Sequence, residues 1–478
     1  MRLTKKLLEK FSNIQSILGL GLLIKLLGYS AYPPFWDAAS YISVGKYIFS
    51  GGAAGLIEPF RPLVWPIVLG FFWKMGLDPI TFGHLIELFL GLGLIGLVYF
   101  VGEKIYGRSP ALLAALLVAI SPALFIWGNS LYTDVPASFL GFLGVYLFLT
   151  QRMFFAGLIT GLAFFTKFPQ ILPLSMLVLI FFLPNQESKP SGKQRLHFII
   201  AFVITIIPFF ILQQGLYGDL LKPLFDGIKV YRSFTPWRHG MTKCLNLLVL
   251  KECPLLFFSL LSLPFIGHGP GRKEKIFVLL AGGASLFWIG KFAIDYLRLA
   301  IVALPYLYLL TAEGIWQCQN YLQSSKKNFL FASLWFGLTL GIGNQVWTVS
   351  HMHFPENRPS FLQKFVSDHQ KELVGERIWV SSPKILVFTN LKAEPLYDPT
   401  FNKERIEDLQ SRLGEADYIL IDSRDLPCNP PDDPFCLVAK DELIARIKQS
   451  YEALELRENP ALGITVGIFR REGDYIRP

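Results

Sequence analysis

Residues 80–100 read ITFGHLIELFLGLGLIGLVYF. Only His84 and Glu87 interrupt this apolar run, and a helix made from it is long enough to cross a bilayer core, which takes roughly 20 residues. Comparable runs lie on either side. They occupy about 13–31, 110–127, 135–151, 153–166, 169–184, 197–215, 254–267, 276–292, 299–316 and 328–347, each broken from the next by Pro, Gly or charge. The expected fold is an α-helical polytopic membrane protein with about eleven transmembrane helices. The fifth and sixth runs in chain order are joined only by Thr166-Lys167-Phe168-Pro169, so they form either two spans or one bent hairpin.

Composition agrees. The chain has 478 residues, 52% hydrophobic and 17% charged, with a mean hydropathy of +0.42. Its net charge of +9 is uneven: residues 1–347 hold 28 Lys+Arg against 14 Asp+Glu, and residues 348–478 hold 17 against 22. The basic excess sits in loops between apolar runs, where insertion orientation accounts for it, so a nucleic-acid partner is excluded. The start, MRLTKKLLEK, is followed by a run long enough to span and by no small-residue cleavage site, and is read as a retained first helix.

Basic residues are about twice as dense in the loops on the N-terminal side of the membrane as in the opposite loops. The clusters are Arg2/Lys5/Lys6/Lys10, Lys104/Arg108, Lys189/Lys193/Arg195, Arg272/Lys273/Lys275 and Lys326/Lys327. The N-terminus is therefore expected in the cytoplasm. The expected location is a membrane of the prokaryotic plasma type. Residues 348–478 become a small extracytoplasmic α/β domain, with strand-like runs at Arg377 to Val380, Ile385 to Phe388 and Tyr418 to Ile421 and helical patterns at 403–413 and 441–455. Residues 1–347 form the membrane domain, whose first outer loop, 32–79, carries two interfacial helices at Ala38 to Phe49 and Arg61 to Met75. A second long outer loop, 216–252, is read as a lid. Five cysteines include no metal-type spacing, and Cys428 and Cys436 flank a Pro-rich turn that closes a small disulfide loop if oxidised.

Acidic residues are scarce in the membrane part, and two fall at outer helix ends: Asp37 in Pro33-Pro34-Phe35-Trp36-Asp37-Ala38 and Asp134 in Tyr132-Thr133-Asp134-Val135-Pro136. Each suits a helix N-cap. Each also suits acid–base work on a hydroxyl at the water boundary, with Asp37 the general-base choice. Arg61, Lys167, Lys291 and Arg298 stand at outer helix ends against the positive-inside bias, and a phosphate leaving group is an anion that such cations serve. Snorkelling, or a pair such as Asp295 with Arg298, is the plainer account. His84 and Glu87, one turn apart, are read as a structural polar pair, and Trp36, Trp65, Trp73 and Tyr41 as interfacial aromatics.

Taken in order, these stretches resemble the membrane glycosyltransferases of the GT-C superfamily, and are similar to the dolichyl-phosphate-mannose protein mannosyltransferases and the lipid A aminoarabinose transferase. Trp36-Asp37-Ala38-Ala39-Ser40-Tyr41 resembles the first-loop Asp motif, with Ala38 where a second acidic residue is usual. Phe60-Arg61-Pro62-Leu63-Val64-Trp65-Pro66, with Glu58 close by, resembles the start of the second interfacial helix. Ser121-Pro122 to Asp134, then Gly161 to Lys167, then Tyr296-Leu297-Arg298 with Pro305 resemble the second-loop Asp, the Thr-Lys motif and the late Arg-then-Pro helix.

The resemblance implies transfer of a hexose-type sugar, with inversion, from a polyprenyl (dolichyl or undecaprenyl) phosphate to an extracytoplasmic hydroxyl on protein, lipid or glycan. It implies Asp37 as general base, Asp134 as an organising carboxylate, and Arg61, Lys167 and Arg298 as binders of the lipid phosphate, with Glu58 and Tyr41 beside them. Ala38 leaves no metal ligand assigned and divalent-metal dependence open. The alternative class is a secondary transporter of a polar or anionic solute, against which stand the absence of matching repeats and the gathering of ionisable groups at one face.

Overall fold

The computed structural model describes residues 13–28, 34–182, 190–233, 240–266, 271–290, 297–324, 328–350, 360–397, 401–428, 433–459, 461 and 463–471. Lys291, Asp295, Trp237, Arg238, Lys189, Lys326, Lys327 and the N-terminal cluster Arg2/Lys5/Lys6/Lys10 lie outside them. The chain divides into two compact units that cut across a boundary near 347. One comprises residues 1–32, 84–211 and 236–355; the other comprises 33–83, 212–235 and 356–478.

The first unit is helical. Its elements are α1 (Ile14–Gly28), the body of α4 (Pro79–Tyr106), α5 (Arg108–Ala119), α6 (Pro122–Trp127), α7 (Asp134–Leu149), α8 (Met153–Thr166), α9 (Ile171–Phe182) and most of α10 (Gly192–Tyr217). After these come α12 (Gly240–Asn246), α13 (Leu263–Ile266), α14 (Arg272–Gly290), α15 (Leu304–Ser324) and α16 (Asn328–Ser350). Among the described residues, α4 and α10 are each long and apolar enough to cross a membrane, and the segments Gly240–Glu252 and Pro254–Ile266, bent by 114°, pass the same test as a pair. Two of the expected runs, 110–127 and 254–267, are each divided between shorter helices. The run 110–127 stops at Ile120, where Ser121 caps α6 through Leu124 N and Pro122 begins it.

Apolar contact distinguishes helix from helix poorly in an apolar solvent, so close backbone approach and ring packing carry the specificity. Gly157 and Gly161 form such a face on α8: a Cβ on Gly157 would stand 2.2 Å from the carbonyl oxygen of Phe198, and one on Gly161 would stand 2.8 Å from the Cβ of Thr205, both on α10. Phe148 meets Phe181, Phe182 and Phe198 in the same neighbourhood.

The second unit joins the first loop to the C-terminal residues. Helices α2 (Trp36–Phe49) and α3 (Val64–Lys74) stand where the two interfacial helices are expected. They cross at Gly45 and Gly70, where a Cβ on Gly45 would lie 2.4 Å from the carbonyl oxygen of Pro66. The unit also holds α11 (Lys222–Ser233) and a five-stranded sheet in the order β2-β1-β3-β5-β4. Strand β1 (Ile378–Val380) pairs in parallel with β2 (Ala393–Pro395) and β3 (Tyr418–Asp422), while β5 (Ile464–Arg471) is antiparallel to β3 and β4 (Tyr451–Asn459).

Alternation sorts the strand side chains onto two cores. Trp379, Ile419, Ile421 and Phe469 face one way, toward α18 (Lys403–Ser411) and α19 (Pro434–Ser450); Ile378, Val380, Leu420 and Ile468 face the other, toward α17 (Phe361–Asp368). The first loop enters both cores, Leu56 in the second and Trp36 against the first. Gly55, at φ +82°, bridges backbone to backbone: its N donates to Leu391 O at 2.8 Å, and Ala393 N donates to Gly55 O at 3.0 Å. Cys428 and Cys436 are bridged.

Two local expectations fail. Ile385 to Phe388 is no strand, because Ser382 caps the turn and Pro383 starts a helical turn at Pro383–Leu386. The helical pattern at 441–455 ends at Ser450, because Tyr451–Asn459, rich in helix-forming Glu and Leu, is recruited by pairing with β5.

Candidate active site

Asp37 lies in the first turn of α2, but the cap position is Phe35 and no side chain caps the helix. Its carboxylate is instead held by Arg61, whose Nη2 lies 2.9 Å from Asp37 Oδ1. The same guanidinium donates through Nε to Glu58 Oε2 at 2.6 Å. Glu58 is fully buried, and its other oxygen accepts from Ser40 Oγ at 2.7 Å and from Tyr397 OH at 2.6 Å. Burial works against the charge on Arg61, but the field of Asp37 and then of Glu58 outweighs it and raises the arginine well above its ordinary value. Tyr41 and Phe60 sit beside the guanidinium, 5.3 and 4.5 Å from their ring centres.

The formal charge of Asp37, Glu58 and Arg61 is −1, and of the two carboxylates Asp37 keeps an opening, with 13% of its side chain exposed against none for Glu58. Glu58, expected beside the substrate, meets Arg61, Ser40 and Tyr397, and Tyr41, expected there too, has its ring beside the Arg61 guanidinium. Arg61, expected on the lipid phosphate, is bound to two carboxylates.

The second group lies in the helical unit. Asp134 opens α7 in its first turn, with Thr133 at the cap position and no side-chain cap. Lys167 Nζ forms a close ion pair with Asp134 Oδ1, and Arg298 Nε lies 4.0 Å from Oδ2. Lys167 follows the last turn of α8 in an extended conformation, and a helical turn at Phe168–Gln170 with Pro169 near its start comes directly after it. Arg298 lies over the rings of Tyr132, at 4.6 Å, and Trp127, at 5.9 Å, which stack on each other. Two cations on one carboxylate leave this group at +1, with Arg298 its most open member at 21%.

Glu87 and His84 do pair, at 3.5 Å. Glu87 Oε2 also accepts from Leu131 N at 2.9 Å, and Leu131 has a φ of 58°, a left-handed conformation rare for a branched side chain. The buried carboxylate braces the strained turn just ahead of Asp134.

Sequence reading missed other polar residues. Lys46 is buried and donates to Val387 O at 2.7 Å and Thr389 O at 2.8 Å. Glu252 accepts from Ser121 Oγ, from Ala123 N at 2.8 Å and from Tyr308 OH at 2.6 Å at the bend after Gly240–Glu252. Neither sits in a recognisable motif; a lone charge amid apolar residues was the only signal. Arg61 bridges Asp37 and Glu58, and among the described residues no three His, Cys, Asp or Glu side chains gather as metal ligands.

The family model described as dolichyl-phosphate-mannose-protein mannosyltransferase matches residues 61–212. No curated protein matches the chain significantly. Among solved structures, ArnT from Cupriavidus metallidurans, bound to undecaprenyl phosphate, is 11% identical, with a TM-score of 0.60 over 97% of this chain and 98% of that one. The archaeal oligosaccharyltransferase AglB from Archaeoglobus fulgidus, in complex with an inhibitory peptide and a dolichol-phosphate, is 13% identical, with a TM-score of 0.57 over 97% of this chain and 75% of that one. The arabinofuranosyltransferase AftD from Mycobacteria is 11% identical, with a TM-score of 0.53 over 97% and 42%. The chain thus shares its fold with these three proteins, and its residues 61–212 match the dolichyl-phosphate-mannose-protein mannosyltransferase family model.

Proposed function

We propose that this chain transfers a hexose-type sugar, with inversion, from a polyprenyl phosphate to a hydroxyl of an extracytoplasmic protein, lipid or glycan. The observation that carries the reading is the group Asp134, Lys167 and Arg298, where two cations share one carboxylate and the surplus charge suits an anion. In the reaction, an acceptor hydroxyl gives its proton to Asp37 while its oxygen attacks the anomeric carbon. The bond from that carbon to the phosphate oxygen breaks, and the electron pair leaves with the polyprenyl phosphate. Lys167 and Arg298 receive the charge that builds on the phosphate, Arg298 as a planar fork and Lys167 as a point charge. Arg61 fixes the orientation of Asp37, and Asp134 keeps the two cations from repelling each other.

ArnT and AglB are structures that hold undecaprenyl phosphate and dolichol-phosphate, which supports a lipid-phosphate donor here. The bridge between Cys428 and Cys436 supports an oxidising, extracytoplasmic setting for the C-terminal residues, with the N-terminus in the cytoplasm and about eleven crossings between them.

The test is release of polyprenyl phosphate from radiolabelled polyprenyl-phosphate hexose by the purified protein in liposomes supplied with acceptor extracts. Wild type is expected to release lipid only when acceptor is present, and Asp37→Asn to lose roughly 10²- to 10⁴-fold, the worth of a placed general base. A wild type that is silent with every donor yet moves a polar or anionic solute across the bilayer would instead establish the transporter reading.

A further inference from the structure

The C-terminal residues contribute directly to the setting of Asp37. Tyr397 follows β2, is buried, and reaches the first loop in two ways. Its hydroxyl donates to Glu58 Oε1 at 2.6 Å, and its ring packs on Trp36, the neighbour of Asp37, with centroids 4.7 Å apart at 59°. From Glu58 the path continues through Arg61 Nε at 2.6 Å and Arg61 Nη2 to Asp37 Oδ1 at 2.9 Å. The hydroxyl and the carboxylate it serves are 339 residues apart in sequence.

We infer that Tyr397 is a positioning residue for Asp37, acting through Glu58 and Arg61, an inference that rests on the glycosyltransferase reading above. Glu58 is fully buried and its charge must be met by donors from several directions. Ser40 and Tyr397 meet one oxygen and Arg61 the other. Without the tyrosine hydroxyl, Oε1 keeps Ser40 but loses a donor, and the carboxylate draws more heavily on Arg61. A guanidinium has a rigid fork of donors, so turning it toward Glu58 turns it away from Asp37.

The position of Tyr397 is itself well determined. Just ahead of it, Gly55 pairs with Leu391 and Ala393 through backbone hydrogen bonds of 2.8 and 3.0 Å, and Trp73 Nε1 donates to Asn390 Oδ1 at 3.0 Å. Lys46 fixes the carbonyls of Val387 and Thr389 in the same stretch. The segment from Leu386 to Tyr397 is thus registered against the first loop by backbone, ammonium, indole and hydroxyl contacts. Its registration places one phenol oxygen on one buried carboxylate.

The test is steady-state kinetics of wild type, Asp37→Asn and Tyr397→Phe as full-length protein in liposomes, with polyprenyl-phosphate hexose as donor and a thermal unfolding curve for each. Tyr397→Phe is expected to lower kcat about tenfold, the size of one lost hydrogen bond to a charged group, with the donor KM and the unfolding midpoint held near wild type. A wild-type kcat in Tyr397→Phe overturns the positioning role while leaving the transferase reading intact, since Asp37→Asn still separates from wild type. A loss of activity that only follows a loss of folded protein also overturns it, because the hydroxyl then serves stability alone. If wild type and both variants are equally silent with every donor, the glycosyltransferase reading itself has failed.

Discussion

Arg61 holds Asp37 at 2.9 Å through one arm of its guanidinium while Nε on the same group meets Glu58 at 2.6 Å. This single residue links a carboxylate with an opening to one with none. A base that is to accept a proton from a hydroxyl needs a fixed direction and a retained charge, and the arginine supplies the first while Glu58 partly offsets its tendency to mask the second. The arrangement depends on the shape of the guanidinium as much as on its charge.

Arg61→Lys separates shape from charge. An ammonium keeps the sign but is a single point, so it can serve Asp37 or Glu58 well and not both. We expect kcat to fall about tenfold or more with the fold retained. Arg61→Ala leaves two carboxylates facing one another, one of them fully buried, and is expected to cost about 3–5 kcal/mol of stability as well. Thermal unfolding beside lipid-release kinetics distinguishes the two; equal kcat in Arg61→Lys and wild type would end the orienting role.

At Asp134 the charge balance is reversed, and so is the expected phenotype. Asp134→Asn raises the surplus at Lys167 and Arg298 by one positive charge. The product polyprenyl phosphate should then bind more tightly by about tenfold, and turnover should slow as release becomes limiting. Product-inhibition constants measured in both proteins check this. Weaker product binding in Asp134→Asn would mean that the carboxylate's main task is to hold the two cations in place.

How much of this was legible in the sequence depended on range. The apolar runs show where helices form, because hydropathy is a local property, and the short motifs around Asp37, Asp134 and Lys167 carried the resemblance to GT-C enzymes. The break at Ser121-Pro122 divides a run, 110–127, that hydropathy alone reads as one span, whereas the break at Phe168-Pro169 falls where the sequence already separates two runs. A boundary near residue 347 follows the change in composition, yet Gly55 and Leu56 bind the first loop into the C-terminal sheet and its core. Such pairings are set by tertiary register, and no periodicity in either segment announces them. Tyr397 was invisible for the same reason: nothing in Leu396-Tyr397-Asp398 points to a glutamate in the first loop.

Lys46 offers a check that does not depend on turnover. Burial pushes its ammonium down to about 8, against 10.5 for an ordinary lysine, with the charge of Asp78 opposing only in part. Below about pH 8 both folded and unfolded chains carry the proton, and the fold bears the full cost of burying the charge. Between about 8 and 10.5 the unfolded chain still holds the proton that the folded chain has released, so stability rises with pH across this window. The neutral amine keeps two N–H donors, which suffice for Val387 O and Thr389 O, its two closest acceptors. Lys46→Met removes both the titration and the donors, and is expected to lower stability by about 1–3 kcal/mol at pH 7.5 through the unmet carbonyls. The gap between wild type and Lys46→Met should widen from pH 7.5 to pH 10 when unfolding midpoints are compared in the same detergent. A gap that stays constant, or narrows, would show that the ammonium keeps its proton throughout and is fully stabilised by the carbonyls around it.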